Sequence, residues 1–272
     1  MKNKIVYIFY NSLIACLFLI FILVVIRVFI FDSYRVDSYS MFPALRSGDY
    51  ILVNKLILGP RFFINKKKII RLFKRSHIER GDILVFNSFA EDLCSNYSFK
   101  SLILVKRCLG LPGDSLSIEN GIYQIGWRKE TVGNEANQIR LQNTPDSLLH
   151  NFIAINRWNV KNLGPIYIPK KNETLEITLE NIALYKAAIE YETQVRVTIK
   201  DSICYLNNVR FESYKFRQNY YFMGGDYVFD SYDSRYWGLL PEDYIIGKAT
   251  LIYFSRGDKK RTIAWDRIGG TL

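Results

Sequence analysis

A serine hydroxyl attacks a carbonyl only where a neighbouring group takes its proton. Two stretches of this chain carry residues suited to that pair of roles. Ser40 lies in Val36-Asp37-Ser38-Tyr39-Ser40-Met41-Phe42-Pro43, two residues from a second hydroxyl, Ser38. On extended backbone, residues two apart point the same way. Pro43 fixes its own φ and biases Phe42 towards extended geometry, so a stiff strand or turn is expected there. Lys106 lies in Lys106-Arg107-Cys108-Leu109-Gly110-Leu111-Pro112-Gly113-Asp114. A free lysine, with a pKa near about 10.4, is protonated at neutral pH and accepts no proton. Burial disfavours the ammonium form and lowers that pKa. On a strand, Leu104 and Cys108 share the face of Lys106 while Ile103, Val105 and Leu109 cover the other, an apolar setting. A neutral amine there could activate Ser40 for acyl transfer through an acyl-enzyme. Alone, each residue has a plainer reading: a turn serine, and a strand lysine with its tip in water.

The elements that must hold these residues read as β structure. Tyr50 to Asn54 and Ile83 to Phe86 are apolar runs preceded by Gly-Asp pairs, which fits strands following turns. Ser101 to Leu109 is a third run and carries Lys106. Leu116 to Ile125 predicts a hairpin turning at Asn120-Gly121. Asn134 to Leu163, rich in Asn and Gln, predicts an irregular surface excursion. Thr174 to Glu192 has apolar residues at spacings of three and four and predicts a helix. Val195 to Phe211 alternates as strands do, turning at Asn207-Asn208, and Tyr220 to Met223 and Tyr244 to Phe254 close the set.

At 272 residues, with 49% hydrophobic and 15% aromatic content, the chain can bury a sizeable core. Ile5 to Phe31 is apolar save for Asn11, Ser12 and Arg27. As a helix it would be roughly 40 Å long, enough to span a bilayer. The run ends in bulky residues rather than the small ones of a cleavage site, so an uncleaved anchor is expected. Lys2 and Lys4 precede it, and the charges after it roughly cancel, which places the N-terminus in the cytoplasm and the rest outside. That location argues against nucleic acid as the partner of the net charge of +11. Much of the positive charge falls between Lys55 and Arg80. The segment Arg61 to Arg75 interleaves Lys66, Lys67, Lys68, Arg71 and Lys74 with Ile64, Ile69, Ile70, Leu72 and Phe73. It reads either as a lipid-contacting amphipathic segment or as a solvated loop over a sheet edge, with a slight lean to lipid. Two histidines, His77 and His150, and no Cys-x-x-Cys pair leave little material for a metal site or a Ser-His-Asp triad, and no cofactor is expected. Beyond Cys16 in the anchor, Cys94, Cys108 and Cys204 allow one disulfide or three thiols.

Taken together, the Ser40 and Lys106 stretches resemble the type I signal peptidases, bacterial Ser-Lys endopeptidases of the cytoplasmic membrane. Gly48-Asp49-Tyr50-Ile51-Leu52-Val53-Asn54-Lys55 and the block from Gly225-Asp226 through Ser231-Tyr232-Asp233-Ser234-Arg235-Tyr236-Trp237-Gly238 are similar to that family in the same order. The resemblance implies a mainly β fold: one transmembrane helix, then an antiparallel β catalytic domain with an inserted smaller β/α subdomain. It divides the chain into an anchor at 1–31, catalytic core at 32–114 and 220–272, and an insert at 115–219. It implies Ser40 as nucleophile and Lys106 as base. It gives the oxyanion site to the Ser40 N–H and the Ser38 hydroxyl, and the orienting of Lys106 to Ser231. Arg107 would pair with Asp226, and Asp233 with Arg235, in partly buried bridges. The substrates implied are exported precursors bearing signal peptides, with small residues at positions one and three before the cut.

The chain departs from the family where Gly-Asp-Asn-Arg is usual and Gly225-Asp226-Tyr227-Val228 stands here, and where Tyr232 replaces a small residue. A paralogue with specialised substrates fits these changes, as does a catalytically weak, membrane-tethered binding protein. A self-cleaving DNA-binding repressor shares the Ser-Lys pair, but the anchor argues against it.

Overall fold

The computed structural model describes residues 2–65, 68–72, 78–88, 102–145, 159–257 and 262–272. The chain begins with helix α1 (Lys2–Phe29). Its segment Phe9–Phe29 is long and apolar enough to cross a membrane, and none of its most apolar stretch is buried against the rest of the protein. Such a helix leaves carbonyls without partners at its C-terminal end. Lys55 satisfies one of them, its Nζ donating to the Arg27 carbonyl at 2.8 Å while pairing with Asp32 at 2.9 Å.

Strands β1 (Phe31–Arg35), β2 (Asp49–Asn54), β3 (Arg61–Asn65), β4 (Lys68–Arg71), β5 (Ile83–Asn87) and β6 (Ile103–Gly110) follow. Next come β7 (Ser115–Glu119), β8 (Ile122–Ile125), β9 (Glu130–Thr131), helix α2 (Glu135–Gln142), β10 (Leu163–Tyr167), β11 (Thr174–Glu176) and helix α3 (Ile182–Thr193). The chain continues through β12 (Val197–Lys200), β13 (Ile203–Leu206), β14 (Val209–Arg210) and β15 (Ser213–Lys215). It ends with β16 (Tyr220–Gly224), the short helix α4 (Ser234–Trp237), β17 (Leu240–Pro241) and β18 (Ile245–Ser255).

Seven of these strands form one sheet in the order β1-β2-β18-β5-β6-β16-β17, with every pairing antiparallel. All seven come from residues before 111 or after 219. The residues between build smaller sheets, β10-β7-β8-β9, β12-β13-β14 and β11-β15. The architecture is mainly antiparallel β behind an apolar N-terminal helix, as the sequence predicts.

One local device starts three of the strands. In Arg46-Ser47-Gly48-Asp49, Glu79-Arg80-Gly81-Asp82 and Leu111-Pro112-Gly113-Asp114, the glycine has φ of 98°, 98° and 92° respectively, which a side chain would oppose. In each, the Asp side chain accepts the N–H three residues earlier, at 2.9, 2.9 and 2.7 Å. Each Asp also meets a distant cation: Asp49 with Arg267, Asp82 with Lys248 and Asp114 with Arg80. The Gly-Asp pairs are turn chemistry that also ties together remote parts of the chain.

Strand β5 is buried on both faces, so its alternate residues feed two cores. Ile83 and Val85 pack with Met41, Leu45, Ile51 and Val53, whereas Leu84 and Phe86 pack with Cys108, Tyr221 and Met223. A third core joins Leu116, Ile118 and Tyr123 to Leu109, Tyr220 and Phe222, so the central sheet and the 115–216 region share buried surface.

The hairpins at Asn120-Gly121 and Asn207-Asn208 form as predicted, with positive φ at all four residues. A further turn at Asp201-Ser202, also at positive φ, splits the stretch into three strands. Two expectations need correction. Asn134 to Leu163 is not wholly irregular: it contains α2, capped by Asn134, whose side chain accepts from Asn137 N. Residues 146–158, including His150, lie outside the described part. The helix expected over Thr174 to Glu192 begins only at Ile182, because Thr174–Glu176 is taken up by pairing with Ser213–Lys215. Strand pairing available only in the folded chain outweighs local helical preference there.

Two cations of the basic segment have partners within the protein. Arg61 donates to the Tyr244 carbonyl at 3.0 Å, and Arg71 donates to those of Gly59, Glu242 and Ile245 at 3.0, 2.9 and 2.5 Å. Burial pushes the Arg61 guanidinium down to about 10 and lowers that of Arg71. These two cations brace the backbone. Phe62, on the same hairpin, packs against Phe29 of α1 with ring centroids 5.7 Å apart. Lys66, Lys67, Lys74, Arg75, His77 and Cys94 lie outside the described residues. Cys108 and Cys204 are free thiols and buried.

Candidate active site

Ser40 sits in the loop between β1 and β2. Its base is pinched by Val36 N to Asp49 O at 2.8 Å and Gly48 N to Val36 O at 2.9 Å, and the buried Met41 and Leu45 root it in the core. The segment turns rather than extends, with Phe42 N donating to Tyr39 O and Leu45 N to Met41 O. The turn brings the Ser38 and Ser40 hydroxyl oxygens to 3.3 Å. The Ser40 N–H donates to no group among the described residues.

Lys106 comes from the middle of β6, opposite Leu84 of β5. Only 3% of it is exposed, and its Nζ lies 2.5 Å from Ser40 Oγ. Burial is the main reason its pKa falls from an ordinary 10.5 to about 8, and Arg235 adds to the fall, while the Asp233, Asp230 and Asp226 carboxylates oppose it. Protonated, the amine donates to Ser40 Oγ. Neutral, it accepts the Ser40 hydroxyl proton, the direction nucleophilic attack requires.

Two ion pairs flank the lysine. Arg107, the next residue on β6, grips Asp226 through Nε and Nη2, both at 2.6 Å. Arg235 grips Asp233 through the same two atoms, both at 2.8 Å, and this pair is almost fully excluded from solvent. Burial alone would raise the Asp233 pKa, but the charge and hydrogen bonds of Arg235 outweigh it and hold the carboxyl low. Arg235 also donates to the carbonyls of Val228 and Ser231, at 3.0 and 3.3 Å, which shapes the loop between them.

Ser231 is 4% exposed and lies beside this pair, yet its hydroxyl makes no hydrogen bond of ordinary geometry. The contact expected between Ser231 and the Lys106 amine is therefore not formed in this structure. Gly225 explains how closely the two loops meet. A Cβ there would lie 2.1 Å from Ser231 Oγ and 2.6 Å from the Ser40 carbonyl oxygen. We expect Gly225→Ala to push both loops apart and lower turnover by about a hundredfold, since misplacement of about 1 Å can cost that much. Steady-state kinetics at a measured folded fraction checks this; near-wild-type turnover would mean the loops have room to spare.

Sequence reasoning missed Asn137. Its Nδ2 donates to the Phe42 carbonyl at 3.1 Å and to the Asp226 carbonyl at 2.8 Å. The cap signal of Asn134 followed by Glu135 could have revealed its helix, but one buried leucine, Leu141, gave too little periodicity. Two of the three positions that depart from the family pattern are packed, and Tyr232 is exposed. Tyr227 meets the Phe42 ring edge-on, Val228 is buried, and Tyr232 lies against Tyr236.

A buried amine lies against a turn serine on an antiparallel β scaffold behind an apolar helix, an arrangement that suits acyl transfer. Residues 9–254 match the family model described as signal peptidase, peptidase S26. The chain is 30% identical over 262 residues to signal peptidase I of Buchnera aphidicola subsp. Schizaphis graminum, covering 91% of this chain and 75% of that one. To the enzyme of the same name from Pseudomonas fluorescens it is 27% identical, covering 89% and 71%. A signal peptidase I structure from Enterococcus faecalis overlaps 64% of this chain and 98% of its own, at 15% identity and a TM-score of 0.33, a likeness too loose to carry weight. The chain belongs to the signal peptidase family, peptidase S26, and is a peptidase.

Proposed function

We propose that this enzyme cleaves signal peptides from exported precursors by a Ser40–Lys106 mechanism. The observation that carries the reading is the 2.5 Å approach of a buried amine to a serine hydroxyl 66 residues earlier in the chain. Neutral Lys106 removes the Ser40 proton as Oγ attacks the scissile carbonyl carbon. The oxyanion is stabilised by the Ser40 N–H and the Ser38 hydroxyl. Collapse expels the new amino terminus, which takes its proton from the Lys106 ammonium, and leaves an acyl-enzyme ester. Lys106 then deprotonates the water that hydrolyses this ester.

Ser231, Arg107, Asp226, Asp233 and Arg235 support that pair: the two bridges hold the loops, and Ser231 orients the Lys106 amine once substrate is bound. Helix α1 anchors the enzyme in the bacterial cytoplasmic membrane with its N-terminus in the cytoplasm and residues 32–272 outside, as the flanking charges favour. The catalytic sheet of 32–114 and 220–272 and the insert of 115–219 are read as two functional parts. A precursor binds as an extended strand, with small residues one and three positions before the cut.

The test is a pH profile of kcat/KM on a precursor with an Ala-x-Ala site. Because burial lowers the Lys106 pKa to about 8, the base is protonated and idle below that value. We expect the rate to fall about tenfold per pH unit below 8, and Ser40→Ala to be inactive throughout. A rate flat down to pH 5, or turnover by Ser40→Ala, would refute the mechanism.

A further inference from the structure

The two loops that meet at the candidate active site are both irregular. One carries Ser40 and the other runs from Gly225 to Asp233. Direct hydrogen bonding between them includes Tyr227 N to Ser40 O at 3.0 Å. A side chain from a third element reaches both. Asn137 of α2, 5% exposed, donates one amide hydrogen to the carbonyl of Phe42, two residues past Ser40, and the other to the carbonyl of Asp226. A primary amide has two N–H donors in one rigid plane. Two carbonyl oxygens on two loops therefore have their spacing set by one group.

The helix holding that amide is itself bolted down. Its neighbour Gln138 accepts from Tyr123 N at 3.1 Å and donates to the Val132 carbonyl at 2.6 Å, tying α2 to β8 and to the residue after β9. Leu141 is fully buried in the third core, and Asn134 caps the helix start. The chain of contacts then runs back to the amine: Asp226 is clamped by Arg107, which follows Lys106 on β6. Phe42 thus reaches the strand bearing Lys106 through Asn137, Asp226 and Arg107, while Ser40 meets Lys106 directly.

We infer that Asn137 is a positioning residue for the reaction, fixing the Ser40 loop against the Asp226 backbone so that Ser40 Oγ stays within reach of Lys106 Nζ. The inference rests on the Ser40–Lys106 reading above. Asn137 touches neither reacting atom and acts through Phe42 and Asp226. Its removal loosens the approach of nucleophile to base and leaves the substrate-binding surface in place. The loss therefore falls on kcat rather than KM.

The test uses the full-length chain in detergent micelles, with kcat and KM measured separately on an Ala-x-Ala precursor, together with thermal midpoints. Asn137→Leu keeps the volume without donors, Asn137→Asp keeps the shape with acceptors in place of donors, and Asn137→Ser keeps a single donor. The expected result is kcat lower by about 10- to 100-fold for Leu and Asp, with KM within about threefold of wild type, and an intermediate kcat for Ser. Arg140→Ala, one turn away and stacked on Phe229, should keep wild-type kcat. The acid limb of Asn137→Leu should stay where it is in wild type, since no charge near Lys106 has changed. If Leu and Ser both retain wild-type kcat, or if kcat falls only as far as the folded fraction does, the inference is overturned. If Leu fails to fold, Ser alone decides by the same criterion. Turnover by Ser40→Ala would instead sink the dyad reading, so the two failures are told apart.

Discussion

Lys106→Met should leave an enzyme that folds more stably at neutral pH and does not turn over. Loss of a catalytic nucleophile or base typically costs about 10⁴-fold or more in kcat. The stability gain follows from linkage. In the folded protein the Lys106 pKa is about 8, against 10.5 ordinarily, because burial penalises the charged amine. Between those two values the unfolded chain binds more protons than the folded one, so wild-type stability rises with pH across that window. Below pH 8 the whole penalty is present, about 3 kcal/mol from a shift of this size. Above about pH 10.5 both states are neutral and the penalty is gone. Denaturant unfolding of wild type and Lys106→Met from pH 6 to 11 should give curves that start about 3 kcal/mol apart, with the variant the more stable, and converge. Parallel curves, or a variant less stable at pH 7, would show that the surroundings do not penalise the charged amine.

Arg235→Met should be the most damaging substitution among the supporting residues. It removes four hydrogen bonds: two to Asp233 and one each to the carbonyls of Val228 and Ser231. Asp233 is left as a buried carboxylate whose low pKa depends on that guanidinium. Breaking one side of a buried pair typically costs about 3–5 kcal/mol, because the remaining charge has no compensation. Asp233 raises and Arg235 lowers the Lys106 pKa. While Asp233 stays ionised, loss of Arg235 therefore moves the acid limb of activity to higher pH. Chemical unfolding and a pH–rate profile on the same preparation read both effects. A stability change under about 0.5 kcal/mol would show that the pair is not the brace it looks to be. Replacing both partners by apolar residues should recover part of the loss, as buried pairs elsewhere do.

The departures from the family pattern have a physical reading in this frame. Where the family usually has polar and cationic residues, Tyr227 packs on Phe42, and Val228 is buried with its carbonyl accepting from Arg235. Asn137 supplies polar hydrogen bonding at the same junction from a different element. The loop is held by other means rather than left slack, which favours a working enzyme over a weak binding protein.

What the amino-acid sequence determined here is what depends on local pattern. A long, nearly all-apolar run makes an anchor-length helix, Gly-Asp pairs start strands, and Asn-Gly and Asn-Asn turn hairpins, because each of these follows from the conformational limits of a few adjacent residues. The order of motifs also carried the resemblance to the signal peptidases, and the family match over residues 9–254 bears it out. The tertiary structure decided the rest. Thr174–Glu176 became strand because its pairing partner lies near residue 214. Arg61 and Arg71 turned inward because the carbonyls of residues 242–245 were there to receive them. Asn137 met Phe42 and Asp226 across separations of 95 and 89 residues, which no window of sequence spans. Even the lowering of the Lys106 pKa is a tertiary fact, for it is set by what surrounds the amine in space, and burial is made by distant parts of the chain closing over it.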